Sequence, residues 1–362
     1  MKKIKLFLSM FLVVTLLLVG CGGNNQQTGT SGTSETESSG GEVKLTVYSN
    51  SLSDGRSDWL AEQAKEQGFA LEFVDAGGGD IYNRLLAEKN APLADIVFGL
   101  DESMFFSLVD SDVLVQYTPV WADELPADSV IGDGYFHPIT EQRIFMVYNA
   151  EFISAEDAPK KWEDLGNDPK YNKIYRIPGN LTGGTNQKSI ISILLQYQDP
   201  NGELGISDEG WDEVGKFLQN GYQVAQGESA NDLFKSGEIP IGFEYISGIP
   251  AKEAEYEFTM TPINPEYGTI VMREQVGIIN KGDGEDYSEK QRFVDWFGSA
   301  EVQSGWAAEF GSLPVNENAM DGVLPRIKEF AEATTPMKVD WNFVRTHLND
   351  WIEKVELELY PY

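Results

Sequence analysis

Strands and helices alternate in the pattern of apolar and polar residues that begins after Gly41. Val43 to Tyr48 (V-K-L-T-V-Y) alternates with a period of two, which predicts a strand. The next four elements are predicted as helix, strand, helix and strand, over Asp58 to Gln67, Ala70 to Val74, Ile81 to Lys89 and Asp95 to Phe98. Such alternation, with a strand and a helix in about 25 residues, favours βαβ crossovers and a parallel sheet.

A second α/β unit is predicted in the middle of the chain. Its elements are expected over Arg143 to Asn149, Trp162 to Leu165, Lys173 to Ile177, Asn186 to Gln196, Trp211 to Asn220, Asn231 to Lys235 and Ile239 to Phe243. The last part adds a strand over Val276 to Ile279, a helix from Arg292 towards Phe310 and mostly helical structure after Pro325. Because no long linker separates the two units, we expect two lobes joined by strands that cross between them.

The first 20 residues have the features of a targeting segment. Lys2, Lys3 and Lys5 precede an apolar run from Leu6 to Val19, which is shorter than the roughly 20 residues of a membrane-spanning helix. The run ends in L-V-G-C, which resembles the bacterial lipobox, where the cysteine is lipidated and becomes the mature N-terminus. We therefore expect a signal peptide over residues 1–20 and an extracytoplasmic protein anchored to the bacterial cell membrane through the lipid on Cys21.

A tether is predicted over residues 21–42. The segment from Gly22 to Gly41 has no large apolar side chain and consists mainly of Gly, Ser, Thr, Asn and Gln. This composition is typical of a flexible linker that holds a folded domain off a membrane surface. The chain after Gly41 is expected to be soluble, since no later apolar stretch has the length of a membrane span.

Acidic residues outnumber basic ones by 58 to 27, which gives a formal net charge of −31. Such a field repels nucleic acid and anionic lipid surfaces, so neither is expected as a partner. Cys21 is the only cysteine, which excludes an intrachain disulfide and a cysteine-type zinc site. His137 and His347 lie far apart in sequence, and neither a cofactor nor a resident metal is predicted.

Six segments of the chain, in this order and spacing, form a recognisable set. They are V-Y-S-N-S (Val47 to Ser51), D-A-G-G-G-D-I-Y-N-R-L-L-A-E-K-N (Asp75 to Asn90), A-D-I-V-F-G (Ala94 to Gly99), the stretch from W-E-D-L to I-P-G-N-L-T-G-G-T (Trp162 to Thr185), S-G-E-I-P-I-G-F-E-Y (Ser236 to Tyr245) and F-V-D-W-F-G-S-A-E-V-Q (Phe293 to Gln303). Together they resemble bacterial ABC-importer solute-binding proteins of the iron(III), 2-aminoethylphosphonate and hexose-phosphate type.

The resemblance implies a two-lobed α/β fold of the type II periplasmic-binding-protein kind. Each lobe would be a mixed, mostly parallel sheet flanked by helices, with the ligand cleft between the lobes. Lobe 1 is assigned to residues 43–140 and 275–320 and lobe 2 to residues 141–274, with residues 321–362 as C-terminal helices that pack on the lobes. We expect a monomer that captures a small solute by hinge closure and then docks on an ABC permease in the membrane.

The loop Thr182-Gly183-Gly184-Thr185-Asn186 is the best candidate for an anion cradle. It lies between a predicted strand and a predicted helix. Its glycines allow the backbone to approach a ligand, its hydroxyl groups can donate, and a helix N-terminus favours negative charge. The alternative is an ordinary glycine-rich helix cap.

A similar donor loop is predicted in the first lobe. It comprises Ser49, Asn50 and Ser51, and Gly78 in the neighbouring glycine turn is a further candidate. Open α/β sheets bind ligands at the carboxyl ends of their strands, where these loops lie. The alternative for both segments is a tight turn, and Asp80 is expected to cap the next helix rather than to touch a ligand.

Glu244 and Tyr245 close a predicted buried strand. Glu244 is a candidate acceptor for the ammonium group of an aminophosphonate or for sugar hydroxyls, and Tyr245 could stack on a ligand or bond to it. Iron-binding members of the family carry two adjacent tyrosines in this region, whereas this chain has F-E-Y-I. The missing pair counts against Fe(III). Three arginines could bind an anion, namely Arg56, Arg143 and Arg273.

The resulting hypothesis is a solute-binding component of an ABC importer that captures a small anionic solute, with a phosphonate or sugar phosphate preferred. Fe(III) and a solute without phosphorus, such as a sugar or polyamine, stay open as alternatives. No catalytic site is predicted, because the sequence has neither a Gly-x-Ser-x-Gly elbow nor a metal-ligand cluster. A surface hydrolase with a carboxylate pair is a distant alternative.

Overall fold

The structure is a computed structural model that describes residues 42–181 and 183–361. The predicted signal peptide, Cys21 and Thr182 lie outside the described residues, as does the predicted tether apart from Glu42. All of the elements below belong to one compact unit, Gly41–Tyr362. Among the described residues, no helix is long and apolar enough to cross a membrane.

Ten strands and twelve α-helices are present in the part of the chain that the structure describes. The strands are β1 Val43–Ser49, β2 Phe69–Asp75, β3 Ile96–Phe98, β4 Leu114–Val115, β5 His137–Tyr148, β6 Gln198–Glu203, β7 Ile241–Tyr245, β8 Thr261–Ile263, β9 Ile270–Ile279 and β10 Leu313–Pro314. The helices are α1 Arg56–Glu66, α2 Gly78–Glu88, α3 Glu102–Asp110, α4 Trp162–Asn167, α5 Gly184–Leu194, α6 Asp208–Asn220, α7 Ala230–Ser236, α8 Ile249–Tyr256, α9 Ser288–Phe297, α10 Ala300–Phe310, α11 Pro325–Ala333 and α12 Trp341–Lys354.

Nine of these strands form one sheet in the order β10-β5-β9-β3-β1-β2, with β4 paired to β9 and both β7 and β8 paired to β5. β1 is parallel to β2 and β3, as the alternation of elements predicts. β5 and β9 are long and pair antiparallel with each other. Beyond that pairing β9 continues beside β3 and β4, and β5 continues beside β7 and β8. These two strands are therefore the predicted crossing between the lobes.

The second lobe is less regular than the first. Its named strands β7 and β8 are antiparallel to β5. The predicted strand over Lys173 to Ile177 contributes two isolated parallel bridges, from Tyr175 to Ile241 and from Arg176 to Tyr222. Lys173 has a positive φ of 63°, and Pro178 and Gly179 follow the segment, so the extended stretch is short.

Separate hydrophobic cores lie on the two sides of the crossing. The core of lobe 1 includes Val47, Phe98, Phe297 and Trp306. The core of lobe 2 includes Tyr148, Tyr175, Phe217 and, from α12, Trp351. A further cluster contains Phe145 and Phe330 and lies on the opposite face of β5 from the lobe 2 core. The α/β architecture with two lobes was predicted, while the exact lobe boundaries stay a prediction.

The long helix predicted from Arg292 towards Phe310 is two helices, α9 and α10. Gly298 ends α9, and a Cβ atom there would lie 2.1 Å from the ring of Trp121. Ser299 then caps α10 by accepting a hydrogen bond from the N–H of Val302. The prediction of one continuous helix was wrong because the approach of the Trp121 ring requires a glycine, which interrupts the helical pattern.

The C-terminal helix should be needed for the stability of lobe 2. Trp351 of α12 is fully buried, and its indole N–H donates to the Leu204 carbonyl oxygen at 2.9 Å. We expect Trp351→Ala to lower the free energy of unfolding by about 3–5 kcal/mol, because a large cavity is left. Urea unfolding of the Gly41–Tyr362 unit measures this loss.

Leu357→Ala is the matched control, because Leu357 follows α12 and is 72% exposed. We expect that change to stay within about 0.5 kcal/mol of the wild type. Equal effects of the two substitutions would contradict the packing of α12 on the lobe 2 core.

Candidate functional site

The predicted donor loop Ser49-Asn50-Ser51 lies at the carboxyl end of β1. Ser49 is buried, and its hydroxyl oxygen accepts a hydrogen bond from the N–H of Ser51 at 3.0 Å. Gly99, which follows the neighbouring parallel strand β3, packs directly against this loop. Its φ is +94°, and a Cβ atom there would lie 2.6 Å from the Asn50 side-chain oxygen and 2.7 Å from Ser51 Oγ. Only glycine fits at that position, which was not predicted.

Asn50 also lies beside the N-terminus of α2. A Cβ atom on Gly78 would be 3.2 Å from the Asn50 side-chain nitrogen. The N-cap of α2 is Gly77, which supplies no side-chain hydrogen bond, and Asp80 lies in the first turn. The prediction that Asp80 caps this helix was wrong, because in the first turn its charge instead complements the helix dipole. The first N–H groups of α2 are therefore left without a side-chain cap next to an exposed amide.

The predicted anion cradle is the start of α5. Gly183 is the N-cap and makes no side-chain hydrogen bond, and both Gly183 and Gly184 are exposed. A Cβ atom at either glycine would meet no atom within 4 Å, so open space lies in front of the backbone. Thr185 and Asn186 are half-buried, and the Asn186 side-chain nitrogen donates to the Asn180 carbonyl oxygen at 2.8 Å. The N–H groups of the first turn have no partner within the helix.

A buried ion pair brings α5 to the loops of the first lobe. Lys188 of α5 is 1% exposed, and its ammonium nitrogen lies 3.1 Å from a carboxylate oxygen of Asp101. Asp101 comes two residues after Gly99 and caps α3 by accepting from the N–H of Met104. The two predicted donor loops therefore lie on either side of one ion pair. Lys188 was missed, although a single lysine before the apolar run S-I-I-S-I-L-L is a signal in the sequence.

Glu244 is satisfied inside the second lobe. It is 4% exposed, and its carboxylate accepts hydrogen bonds from the Lys252 ammonium group and, at 3.1 Å, from the N–H of Tyr245. The guanidinium group of Arg176 stacks on the Phe243 ring at 4.1 Å and attracts Glu244 electrostatically. The negative charge of Glu244 is thus compensated by neighbours that belong to the same lobe.

Tyr245 is 36% exposed and lies within electrostatic reach of Arg56, which belongs to the first lobe. Burial raises the pKa of the Tyr245 phenol, Glu244 raises it further, and Arg56 opposes the shift. The guanidinium group of Arg56 lies 3.3 Å from an Asp54 oxygen and 5.0 Å from the Phe310 ring centre. A cation in the first turn opposes the positive end of a helix, so the position of Arg56 is not explained by helix stability.

The other two predicted arginines, Arg143 and Arg273, form ion pairs with Glu141 on the crossing strands. Arg143 lies 2.8 Å and Arg273 lies 3.2 Å from the two oxygens of Glu141. Arg143 also donates to the carbonyl oxygen of Ala331 at 2.7 Å. Of the three arginines, Arg56 is the one whose charge acts on Tyr245.

Polar side chains connect the first donor loop to the second lobe. Ser51 lies near enough to Glu274 to lower the pKa of its carboxyl, and the side-chain nitrogen of Gln142 donates to Glu274 at 3.3 Å. Ser247, just after β7, donates to the Gln142 oxygen at 3.3 Å. Burial raises the pKa of the Glu274 carboxyl, while Ser51, Gln142 and the charge of Arg56 lower it. Glu274 and Gln142 were not predicted, because neither follows a strand.

Glu102 is a buried acid next to the ion pair. It is 1% exposed, and one of its oxygens accepts from the N–H of Arg273 at 2.8 Å. Burial raises the pKa of the Glu102 carboxyl to about 8, and the negative charge of Asp101 contributes to the rise. The N–H groups of Glu102 and Arg273 and the charge of Arg273 oppose it. Among the described residues, no three His, Cys, Asp or Glu side chains come together as a metal site.

The chain is similar to bacterial proteins that bind solutes outside the cytoplasm. A family model described as bacterial extracellular solute-binding protein matches residues 58–335. A probable ABC transporter periplasmic-binding protein of Sinorhizobium fredii is 33% identical over 315 residues, which cover 87% of this chain and 86% of that protein. A Salmonella typhimurium protein, whose name describes it as 2-aminoethylphosphonate-binding and periplasmic, is 26% identical over 206 residues, or 55% of this chain and 56% of that protein.

Solved structures with the same fold include two proteins whose descriptions mention iron. The ferric binding protein from Campylobacter jejuni has a TM-score of 0.71 and 17% identity, and covers 86% of this chain and 98% of its own. Iron-bound HitA from Pseudomonas aeruginosa has a TM-score of 0.70 and 18% identity, and covers 87% of this chain and 100% of its own. At this identity the likeness establishes the fold, which is the predicted two-lobed, type II periplasmic-binding architecture.

Glu102 should make the stability of the protein fall as the pH rises. Its folded pKa of about 8 lies above the value of 4.5 expected when it is exposed. The contribution is therefore complete below pH 4.5 and is lost as the pH rises towards 8. We expect Glu102→Gln to change the free energy of unfolding little at pH 5 and to raise it over the wild type by a few kcal/mol at pH 9.

Denaturant unfolding at the two pH values measures this effect. Glu66→Gln is the control, because Glu66 is exposed at the end of α1 and should give the same small difference at both values. A Glu102→Gln variant that shows no gain at pH 9 relative to pH 5 would contradict the raised pKa.

Proposed function

The chain belongs to the family of bacterial extracellular solute-binding proteins, and we propose that the solute it captures is a small anion with a phosphonate or phosphate group. It is the solute-binding component of an ABC importer. The supporting observation is that two helices, α2 and α5, begin at exposed glycine N-caps without side-chain hydrogen bonds. The N–H groups of their first turns, which have no partner within the helix, the Asn50 amide and the guanidinium group of Arg56 are all donors, as anion recognition requires.

The negative net charge of the protein means that an anion can bind only at a site with strong local donors. With a net charge of −31 the surface repels anions at long range. An anion is therefore bound only where local donors outweigh that field, and each helix N-terminus contributes about 0.3–1 kcal/mol to such binding. Arg56 adds a planar guanidinium group, which suits phosphorus oxygens.

A phosphorus group has the geometry to bind donors of both lobes. Its three terminal oxygens can accept hydrogen bonds from the Asn50 loop and from the start of α5 at once. Glu244, the predicted acceptor for an ammonium group, is compensated by Lys252. Tyr245, which is predicted to stack on the ligand or bond to it, stays partly exposed. Glu274, beside Ser51, is the acceptor that we add for an ammonium or hydroxyl group. The 2-aminoethylphosphonate in the name of the Salmonella relative is compatible with this set.

The mechanism that we propose is hinge closure about β5 and β9. A ligand that bonds to both loops makes more contacts in the closed form than in the open form, and this differential affinity stabilises closure. The closed complex then docks on the membrane permease. Fe(III), a sugar and a polyamine remain alternatives, and a ligand panel separates them.

We expect a thermal shift with phosphorus ligands. The panel applied to the Gly41–Tyr362 unit contains 2-aminoethylphosphonate, inorganic phosphate, glucose 6-phosphate, ferric citrate, spermidine and a maltodextrin. A ligand at about 100 times its Kd stabilises the protein by about 2.7 kcal/mol, which raises the unfolding midpoint by several degrees. Gly183→Asp should weaken binding at least tenfold and so abolish the thermal shift. The new aspartate carboxylate would occupy the N-terminus of α5 and repel the anion.

Gly183→Asn is the matched control. Asparagine caps a helix as well as aspartate does but carries no charge, so binding should be weakened less. A shift with ferric citrate, spermidine or maltodextrin alone would contradict the phosphorus proposal and leave the family assignment intact. If Gly183→Asp bound the ligand as tightly as the wild type, the proposed position of the anion at the N-terminus of α5 would be contradicted.

We also propose that Cys21 carries the lipid that anchors the protein. The support is the basic segment Lys2 to Lys5, the apolar run Leu6 to Val19 and the single cysteine directly after them. We expect the full-length chain expressed in a bacterium to be found in the membrane fraction with a mass increased by acyl chains. Cys21→Ala should lack the acyl chains and appear in the soluble fraction. If that variant kept the acylated mass and the membrane location of the wild type, the proposed anchor would be contradicted.

A further inference from the structure

We propose that helix α3 is held at both ends by cations of the second lobe, and that this clamp keeps the two lobes close even when no solute is bound. α3 belongs to lobe 1, since Phe105 and Leu108 pack with residues of β1 and β3. Its two ends carry Asp101 and Asp110. Each of these acids pairs with a basic residue from the other lobe.

The first end is the ion pair of Asp101 with Lys188. The lysine is almost completely buried, and its ammonium group also lies 5.3 Å from the ring centre of Trp341 at the start of α12. A buried charge is retained only when it is paired, and removal of its partner is strongly destabilising because the remaining charge is left uncompensated. Separation of α3 from α5 would therefore require Lys188 to be rehydrated.

The second end is the ion pair of Asp110 with Arg345 of α12. The guanidinium group of Arg345 also lies 5.4 Å from the Phe106 ring centre, and its Nε donates a hydrogen bond to the side-chain oxygen of Asn342 at 3.1 Å. Asp110 is the last residue of α3, where a negative charge opposes the helix dipole. A cation from outside the helix offsets this repulsion, which gives Arg345 a definite electrostatic role.

An apolar contact joins the two ends of the clamp. Phe106, on the middle of α3, packs against the lobe 2 core as well as against lobe 1. The clamp lies on the lobe 2 core side of β5, opposite the cluster that contains Phe145 and Phe330. It is therefore placed to limit rotation of the lobes about the crossing strands. Because a protein that is already near its closed spacing has less to reorganise, the clamp should raise solute affinity without touching the solute.

The test measures the distance between the lobes without any ligand. The Gly41–Tyr362 unit contains no cysteine, so Glu66→Cys on α1 and Asp212→Cys on α6 give two unique, exposed sites for spin labels. We expect the clamped protein to give one narrow distance distribution by double electron–electron resonance. Lys188→Met and Arg345→Asp should each add a population at longer distance.

A charge swap keeps the test independent of folding defects. Asp110→Arg combined with Arg345→Asp restores an attractive pair and should restore the narrow distribution. Lys235→Met removes an ion pair that lies within lobe 2, with Glu257 at 3.4 Å, and should leave the distance unchanged. High salt should loosen the solvent-exposed Asp110 end more than the buried Lys188 end.

The proposal is overturned if Lys188→Met and Arg345→Asp both keep the wild-type distribution while circular dichroism shows them to be folded. It is also overturned if the charge swap fails to reverse the effect of Arg345→Asp. Neither result depends on which solute the protein binds, so a failure of the phosphorus proposal would not be mistaken for a failure of the clamp.

Discussion

The antiparallel pairing of β5 with β9 is the constraint on which the rest of the structure depends. These strands pair from His137 with Val276 to Ile144 with Ile270, and they are the two long strands shared by both halves of the sheet. At their middle, Glu141 lies between the guanidinium groups of Arg143 and Arg273. Backbone hydrogen bonds and a shared carboxylate resist separation of the strands but allow small changes of φ and ψ along them. The lobes can therefore rotate relative to each other while the loops after β1, β3 and β7 remain opposite one another.

Close packing around glycines fixes where the cleft loops lie. Gly99 leaves no room for a side chain between itself and the Asn50 loop. The same loop reaches Glu274 through Ser51, and Glu274 reaches lobe 2 through Gln142 and Ser247. A displacement of the loop is therefore transmitted to the crossing strands themselves. This gives a physical route by which a ligand bound at Asn50 would influence the hinge.

Sequence patterns predicted the local elements well and the contacts between them poorly. The order β1-α1-β2-α2-β3 follows from periodicity, which depends on residues only a few positions apart. The break at Gly298 and the position of Asp80 inside α2 depend on Trp121 and on a glycine N-cap, which no local pattern reveals. Lys188 and Asp101 are 87 positions apart, and Gln142 and Ser247 are 105 apart. The loops of the candidate site could be predicted from the strand ends, whereas their partners depend on how the chain folds back.

The last two residues of β7, Glu244 and Tyr245, show how side chains at one place in the fold affect which ligand can bind. The carboxylate of Glu244 pairs with Lys252 of α8, so of these two residues Tyr245 is the one that stays partly exposed. A tyrosine phenol is protonated at neutral pH, and the raised pKa of Tyr245 strengthens that preference, so Tyr245 can donate a hydrogen bond. A neutral donor beside the cation Arg56 favours an anionic oxygen, whereas iron binding would require the phenolate. The proposed anionic ligand would thus meet a protonated tyrosine here, while the neighbouring acid is compensated by Lys252.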